Sequence, residues 1–191
     1  GVMINRLDAD DFSAVVTDHA RQGDMAVEYL VKRGHRRIAM VCEERNNWGS
    51  LQRMKGFIEA MTRNGLEVVD ECIMSSDHQP MYGVLRRLMA GLKPTGIFVA
   101  GEDIGLEASY ILRDVLRMKV PQEVSVLGME SSRVSQFLSP PMTTLCQSPE
   151  NLERVSVEVL LRQLNGEKGE LERVVLESTL IERESVTNLP A

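Results

Sequence analysis

Apolar residues along this chain follow two alternating rhythms. Short β-rich runs fill 13–17, 37–42, 96–100, 124–128 and 142–146, and each predicts a strand. Between several of them apolar positions recur at three- and four-residue spacing, which predicts helices. One such face carries Met25, Ala26, Tyr29 and Leu30, with Gly34 as its stop. A second carries Leu51, Met54, Phe57, Ile58 and Met61, with Ser50 as N-cap and Gly65 as the C-terminal glycine. Val84, Leu85, Leu88 and Met89 make a third face, and Ile104, Ala108, Ile111, Leu112 and Val115 a fourth. A further helix is expected to begin near Pro149, to carry Leu152, Val155, Val159 and Leu160, and to end at Asn165-Gly166. Residues 174–183 read as one last strand.

Strands alternating with helices imply crossover units and a mostly parallel sheet. The runs 97–99 and 124–127 are nearly all apolar, as strands covered on both faces must be. In open sheets of this kind ligands bind beyond the carboxyl ends of the strands. Those ends carry Asp18-His19, Glu43-Glu44, Gly101-Glu102-Asp103 and Met129-Glu130-Ser131. Topology alone therefore gathers polar residues at one edge, where a pocket is expected.

Composition narrows the function. An apolar fraction of 43% supports a real core, and a formal charge of −6 argues against a free-standing nucleic-acid binder. No apolar run approaches the roughly 18 residues of a membrane span, and no signal-peptide pattern opens the chain. Gly1-Val2-Met3-Ile4 reads as a cut through a strand. Cys42, Cys72 and Cys146 are far apart and odd in number, which fits buried free thiols in a reducing compartment rather than a disulfide framework or zinc site. Phosphate-loop, dinucleotide and nucleophile-elbow motifs are missing. His19, His35 and His78 are scattered, and the acid pairs Glu43-Glu44 and Glu102-Asp103 lack metal-ligand spacing. The expectation is a non-enzyme with no cofactor or metal. The basic run from Lys32 to Arg37 surrounds Gly34. It reads as cations in a last helical turn, a left-handed stop, and the lead into a strand.

A resemblance accounts for that run. Asp18-His19, Gly23, Ala26, Leu30 and then Gly34-His35-Arg36-Arg37-Ile38-Ala39 resemble the "D…G…A…L…GHRRIA" stretch of LacI/GalR-type bacterial transcription regulators. Arg53-Met54-Lys55-Gly56-Phe57 resembles their "RxxGF", and Lys93-Pro94-Thr95-Gly96-Ile97-Phe98 their "PTAIF". The stretch from Val120 to Gly128 resembles "VPxDISVxGF", Ser139 to Thr144 resembles "PPLTT", and Glu182-Arg183-Glu184-Ser185 resembles "xRxS". The stretches keep the family's order across residues 13–185.

The resemblance implies an α/β, periplasmic-binding-protein-like fold. A parallel-sheet C-terminal lobe would be complete with helices on both faces, the N-terminal lobe only partly present, and a cleft would lie between them. Residues 1–17 would be remnant strands of the N-terminal lobe, and 18–142 the C-terminal lobe. Residues 143–168 would be a crossover strand and helix of the N-terminal lobe, and 169–191 return strands of the C-terminal lobe and a tail. The face of Leu152, Val155, Val159 and Leu160 would then be covered by a second copy or be poorly ordered. The implied function is the ligand-sensing and dimerisation region of a cytoplasmic, DNA-binding transcription regulator or repressor. Operator DNA would be read by a helix-turn-helix absent from this chain, and no membrane would be involved. The other reading is a periplasmic sugar-binding component of a transporter, which shares the fold.

Residues matching the family's cleft positions are Arg6, Asp18, Arg53, His78, Glu102, Glu130 and Gln147, the expected ligands of a small polar effector. Leu106, Phe137 and Leu138 match the homodimer interface. Two departures stand out. The family's "ND" is Gly101-Glu102 here, and its "GFDD" is Gly128-Met129-Glu130-Ser131. The longer carboxylates either favour a ligand with an amine or fill the cleft, and the sequence leaves both open.

Overall fold

The computed structural model of the protein describes residues 1–5, 11–77, 79–165 and 171–190. Its strands and helices alternate as the apolar rhythm requires. They are β1 (Val2–Ile4), β2 (Ser13–Thr17), α1 (His19–Lys32), β3 (Ile38–Cys42), α2 (Trp48–Arg63), β4 (Ile73–Ser75) and α3 (Met81–Ala90), followed by β5 (Gly96–Val99) and α4 (Glu102–Tyr110). A π-helical turn over Ile111–Val115 extends α4. Then come β6 (Ser125–Glu130), β7 (Thr143–Cys146), α5 (Pro149–Leu164), β8 (Arg173–Leu176) and β9 (Thr179–Ile181).

Two sheets result. Six strands lie in the order β4-β3-β5-β6-β7-β9, parallel except for β9, and three lie parallel in the order β1-β2-β8. The large sheet is apolar on both faces because alternate residues point opposite ways. Met40, Phe98 and Leu127 pack with α1 and α2 residues such as Leu30 and Phe57. Ala39, Val41, Ile97, Val99 and Val126 pack with Leu85 and Leu88 of α3 and Ile104 and Ala108 of α4. The chain passes between the sheets three times: after β2 at Asp18, after β7 at Gln147-Ser148, and between β8 and β9 at Glu177-Ser178.

Several sequence expectations shift. Residues 174–183 are two strands rather than one, because β8 pairs with β2 while β9 pairs with β7. Thr143–Cys146 does not accompany α5 to the small sheet; it is hydrogen-bonded between β6 and β9 in the large one. Helix α2 starts before Ser50. Asn47 is its N-cap, its Oδ1 accepting from Ser50 N at 2.7 Å, which leaves Ser50 buried in the first turn. Helix α5 starts at Pro149 as expected, capped by Ser148. It buries Val159 and Ser156, while Val157, Leu161 and Leu164 stay exposed. Gly166 lies outside the described residues.

The basic run is punctuation. Helix α1 ends at Lys32, and Gly34 takes the left-handed conformation at φ +88°. Arg33 stacks 3.8 Å over the Tyr29 ring and pairs with Glu182 at 2.6 Å. His35 is fully buried, contacting Thr95 Oγ1 and the Thr187 carbonyl at 3.1 Å each.

Helices α1 and α2 approach each other through two glycines. A Cβ on Gly23 would overlap the Arg53 carbonyl oxygen and stand 2.7 Å from Phe57 N. One on Gly56 would overlap the Ala20 carbonyl oxygen. The two helices touch backbone to backbone there, and only glycine allows it. Gly23→Ala and Gly56→Ala are each expected to destabilise the protein by about 2 kcal/mol or more through overpacking. Gly65→Ala, where φ is +66° but space is open, is expected to cost about 1 kcal/mol. Urea midpoints at constant slope check this; equal shifts at all three positions would contradict the backbone contact.

Candidate functional site

The carboxyl ends of β3, β5, β6 and β7 open into one cavity of about 250 Å³. Glu43 follows β3, Gly101 and Glu102 follow β5, Met129 and Glu130 end β6, and Gln147 follows β7. Asn47, Ser50 and Arg53 from the start of α2 close its other side. Asn47, Arg53 and Gln147 also line a neighbouring, wider cavity of about 630 Å³ with Asn5, His19 and Trp48. Asn5 lies after β1 of the small sheet, so the wider cavity is a cleft bordered by both sheets.

Arg53 is the central cation. Its Nε donates to Gln22 Oε1 at 2.8 Å, and its Nη2 lies 3.1 Å from His19 Nδ1. Burial pulls its pKa down to about 10, so it remains charged at neutral pH. Among the described residues it has no ion-pair partner. His19 is buried against the edge of Trp48, with ring centroids 5.4 Å apart. Burial first, and the Arg53 charge second, lower its pKa from 6.5 to about 4. Its Nδ1 lies between the Arg53 guanidinium at 3.1 Å and Gln22 Oε1 at 3.0 Å, and in a neutral imidazole it accepts from the first or donates to the second according to the tautomer. Gln22, fully buried, donates its Nε2 to Ser178 Oγ at 2.7 Å. Arg53 is thereby linked through one carboxamide to the third passage between the sheets.

The two glutamates have different fates. Glu102 is capped on both oxygens: Ser131 N and Ser132 N donate at 3.0 Å each, and both serine hydroxyls donate as well. Burial would raise its pKa, but those donors outweigh it and hold the carboxyl below its ordinary range. Glu130 is 2% exposed. Its Oε1 accepts from Arg183 Nη2 at 2.8 Å, while its Oε2 is buried with no hydrogen-bond partner among the described residues. Arg183 is held by the Met142 carbonyl at 2.6 Å and Thr144 Oγ1 at 3.0 Å.

Of the expected ligand residues, Arg53, Glu102, Glu130 and Gln147 come together around the smaller cavity. Asp18 serves α1 instead, its Oδ1 accepting from Arg21 N at 2.8 Å. Arg6 and His78 lie outside the described residues. Sequence reasoning missed Gln22, Asn47, Trp48, Ser178 and Arg183. The helical spacing of His19, Gln22 and Gly23, facing the "RxxGF" glycine, was the available signal for Gln22. Cys42 and Cys72 are buried and Cys146 half-buried, all free. Burial pushes the Cys42 thiol up to about 11, which makes it unreactive. Among the described residues no group of metal-binding side chains occurs, and no helix is long and apolar enough to cross a membrane.

A fold of two sheets joined by three passages around a polar cleft defines a class, and comparison with known proteins agrees. The family described as periplasmic binding protein-like domain matches residues 27–186, and this chain belongs to it. Among curated proteins it is similar to the HTH-type transcriptional repressor PurR of Erwinia tasmaniensis, 33% identical over 186 residues, covering 94% of this chain and 54% of that protein. PurR of Salmonella typhi is 32% identical, with the same coverage. The chain thus spans about half the length of the curated relatives it matches. Among solved structures it is similar to a transcriptional regulator CelR–cellobiose complex, at TM-score 0.87 and 29% identity, covering 96% of this chain and 58% of that one. A LacI family transcriptional regulator from Mycobacterium smegmatis matches at TM-score 0.85 and 26% identity, covering 98% and 70%.

The His19 environment has a pH consequence. The unfolded chain takes up a proton near pH 6.5, whereas the folded chain resists until about pH 4. This contribution to stability is therefore complete above pH 6.5 and is lost as pH falls through that window. His19→Gln is expected to show a shallower loss of stability between pH 7 and 4 than the parent, by urea denaturation. Parallel pH profiles would contradict the buried neutral imidazole.

Proposed function

We propose that this chain is the ligand-sensing and dimerisation region of a cytoplasmic, DNA-binding transcription regulator, with a small polar effector bound between the two sheets. The observation that carries the reading is Arg53: a half-buried cation without an ion-pair partner among the described residues, at the cleft, tied through Gln22 to Ser178. A buried charge is costly unless something satisfies it, and an effector bringing acceptors would do so through the forked donors. Operator contacts would come from a helix-turn-helix outside these 191 residues. The names of the curated relatives favour this reading over a transporter component.

The mechanism follows from the linkage. An effector competing for Arg53 donors alters the hold of Arg53 on Gln22, and hence of Gln22 on Ser178 between β8 and β9. The passage between the sheets then has two arrangements, and the effector regulates only through its differential affinity for them. In the full-length regulator, Arg53→Ala is expected to weaken effector binding at least about tenfold. Gln22→Leu is expected to leave effector binding measurable while shrinking the ratio of operator affinities with and without effector. Titrations with an effector found by metabolite screening check both. An unchanged effector affinity in Arg53→Ala would sink the assignment of the cleft.

Dimerisation is proposed through the surface carrying Phe137, which is 81% exposed. Tyr110 and Val134 are also exposed, and Leu106 and Leu138 support the surface from the second core cluster. An exposed large apolar side chain matters when it belongs to a patch of this kind. Phe137→Asp is expected to shift sedimentation toward the monomer without lowering the melting temperature of the monomer. A dimer of unchanged affinity would place the interface elsewhere.

A further inference from the structure

The family's cleft positions hold longer carboxylates in this chain, and the structure separates the two consequences. Glu102 fills space: both of its oxygens are consumed by Ser131 and Ser132. Glu130 does not. Arg183 neutralises it from one side through Oε1, and Oε2 remains a buried acceptor with no donor in a residue that lines the cavity. Buried polar atoms are nearly always hydrogen-bonded, so an orphan on a residue that lines the cavity calls for a donor, and one from outside the protein reaches it once the Glu130 carboxyl turns toward the cavity. Arg53, lining the same cavity, has the opposite requirement. Its Nε and Nη2 are engaged by Gln22 and His19, while its Nη1 makes no hydrogen bond among the described residues and its charge has no counter-ion there.

Resting on the reading of this cleft as the effector site, we propose that the effector is a small anion that also carries an amine. Its ammonium donates to Glu130 Oε2, and its carboxylate or phosphate accepts from Arg53. A neutral sugar hydroxyl could satisfy Glu130 but would leave the Arg53 charge unmatched. A simple anion would match Arg53 but leave the Glu130 acceptor orphaned and add a negative charge to a wall already carrying Glu43 and Glu102. An anion with a hydroxyl would reach both ends, but an ammonium makes the charge-assisted bond to the carboxylate, so a ligand with an amine and an anionic group completes both ends most strongly. Hydrogen bonds between charged partners are the strong ones and require this pairing of signs.

Two matched pairs test the class by calorimetry on the full-length regulator: L-alanine with L-lactate, and glucosamine 6-phosphate with glucose 6-phosphate. Each pair differs by an amine in place of a hydroxyl, and the two pairs separate a carboxylate from a phosphate source. Ribose serves as the neutral sugar. The expected result is that, in at least one pair, the amine member binds at least about tenfold more tightly than its twin. Glu130→Gln should erase that preference, and Arg53→Gln should weaken both members. Because Glu130→Gln leaves Arg183 unpaired, Glu130→Asp is the second variant. It keeps the charge, retracts the oxygens by one methylene and should narrow the preference without loss of fold. Failure of every amine member to bind, equal binding of the hydroxyl twins, or tighter binding of ribose would overturn the proposed class. Ribose binding that Arg53→Gln abolishes would still leave the cleft as the effector site. A ligand whose affinity ignores both Arg53→Gln and Glu130→Gln would overturn the cleft itself.

Discussion

The backbone contact between α1 and α2 at Gly23 and Gly56 is the constraint on which the rest of this structure depends. Two helices that meet through side chains lie 8–10 Å apart; here the Arg53 carbonyl and the Ala20 carbonyl occupy the places where Cβ atoms would be. That closeness brings the Arg53 side chain within hydrogen-bond reach of His19 and Gln22 on the neighbouring helix. It also places both helices over one face of the large sheet, with Phe57 and Leu30 fully buried against Phe98 and Met40. The glycines of two short motifs far apart in sequence thus have one physical meaning: they are the two sides of a single contact.

From that contact the chemistry of the cleft follows by elimination. Gln22 accepts from Arg53 with one end of its carboxamide and donates to Ser178 with the other. The neutral His19 lies against both the guanidinium and the Gln22 carboxamide oxygen. None of these partners carries a negative charge, so the cation is oriented by dipoles and has no counter-ion among the described residues. Across the cavity the arrangement is reversed. Glu130 is neutralised by Arg183 yet retains one unsatisfied oxygen. Preorganised but incomplete polar groups facing one space are what a binding site requires, and the link to Ser178 gives occupancy of that space a route to the passage between the sheets.

Much of the fold was legible because its signals are redundant. The strand segments 97–99 and 126–127 are apolar throughout, and among the described residues five helices with apolar faces lie between strands. The polar edge was legible from topology alone, since Glu43, Glu102 and Glu130 had to fall at strand ends. The misreadings have local causes. Ser50 and Asn47 are both good caps, and periodicity cannot choose between them, but the Oδ1 of Asn47 makes the bond. The tail looked continuous because Glu177 and Ser178 are short of any turn signal, yet the chain changes sheets there. The roles of Gln22 and Arg183 depend on side chains meeting across more than 50 residues of sequence, which no local pattern encodes. The same holds for the different fates of Glu102 and Glu130, which look alike in sequence.

A crystal structure of the Gly23→Ala variant is the most direct measurement. If the glycine contact sets the site, the added methyl separates α1 from α2, and the 2.8 Å bond from Arg53 Nε to Gln22 Oε1 is lost while the strands of the large sheet stay in place. Unmoved helices with that bond intact would contradict the dependence of the site on this contact.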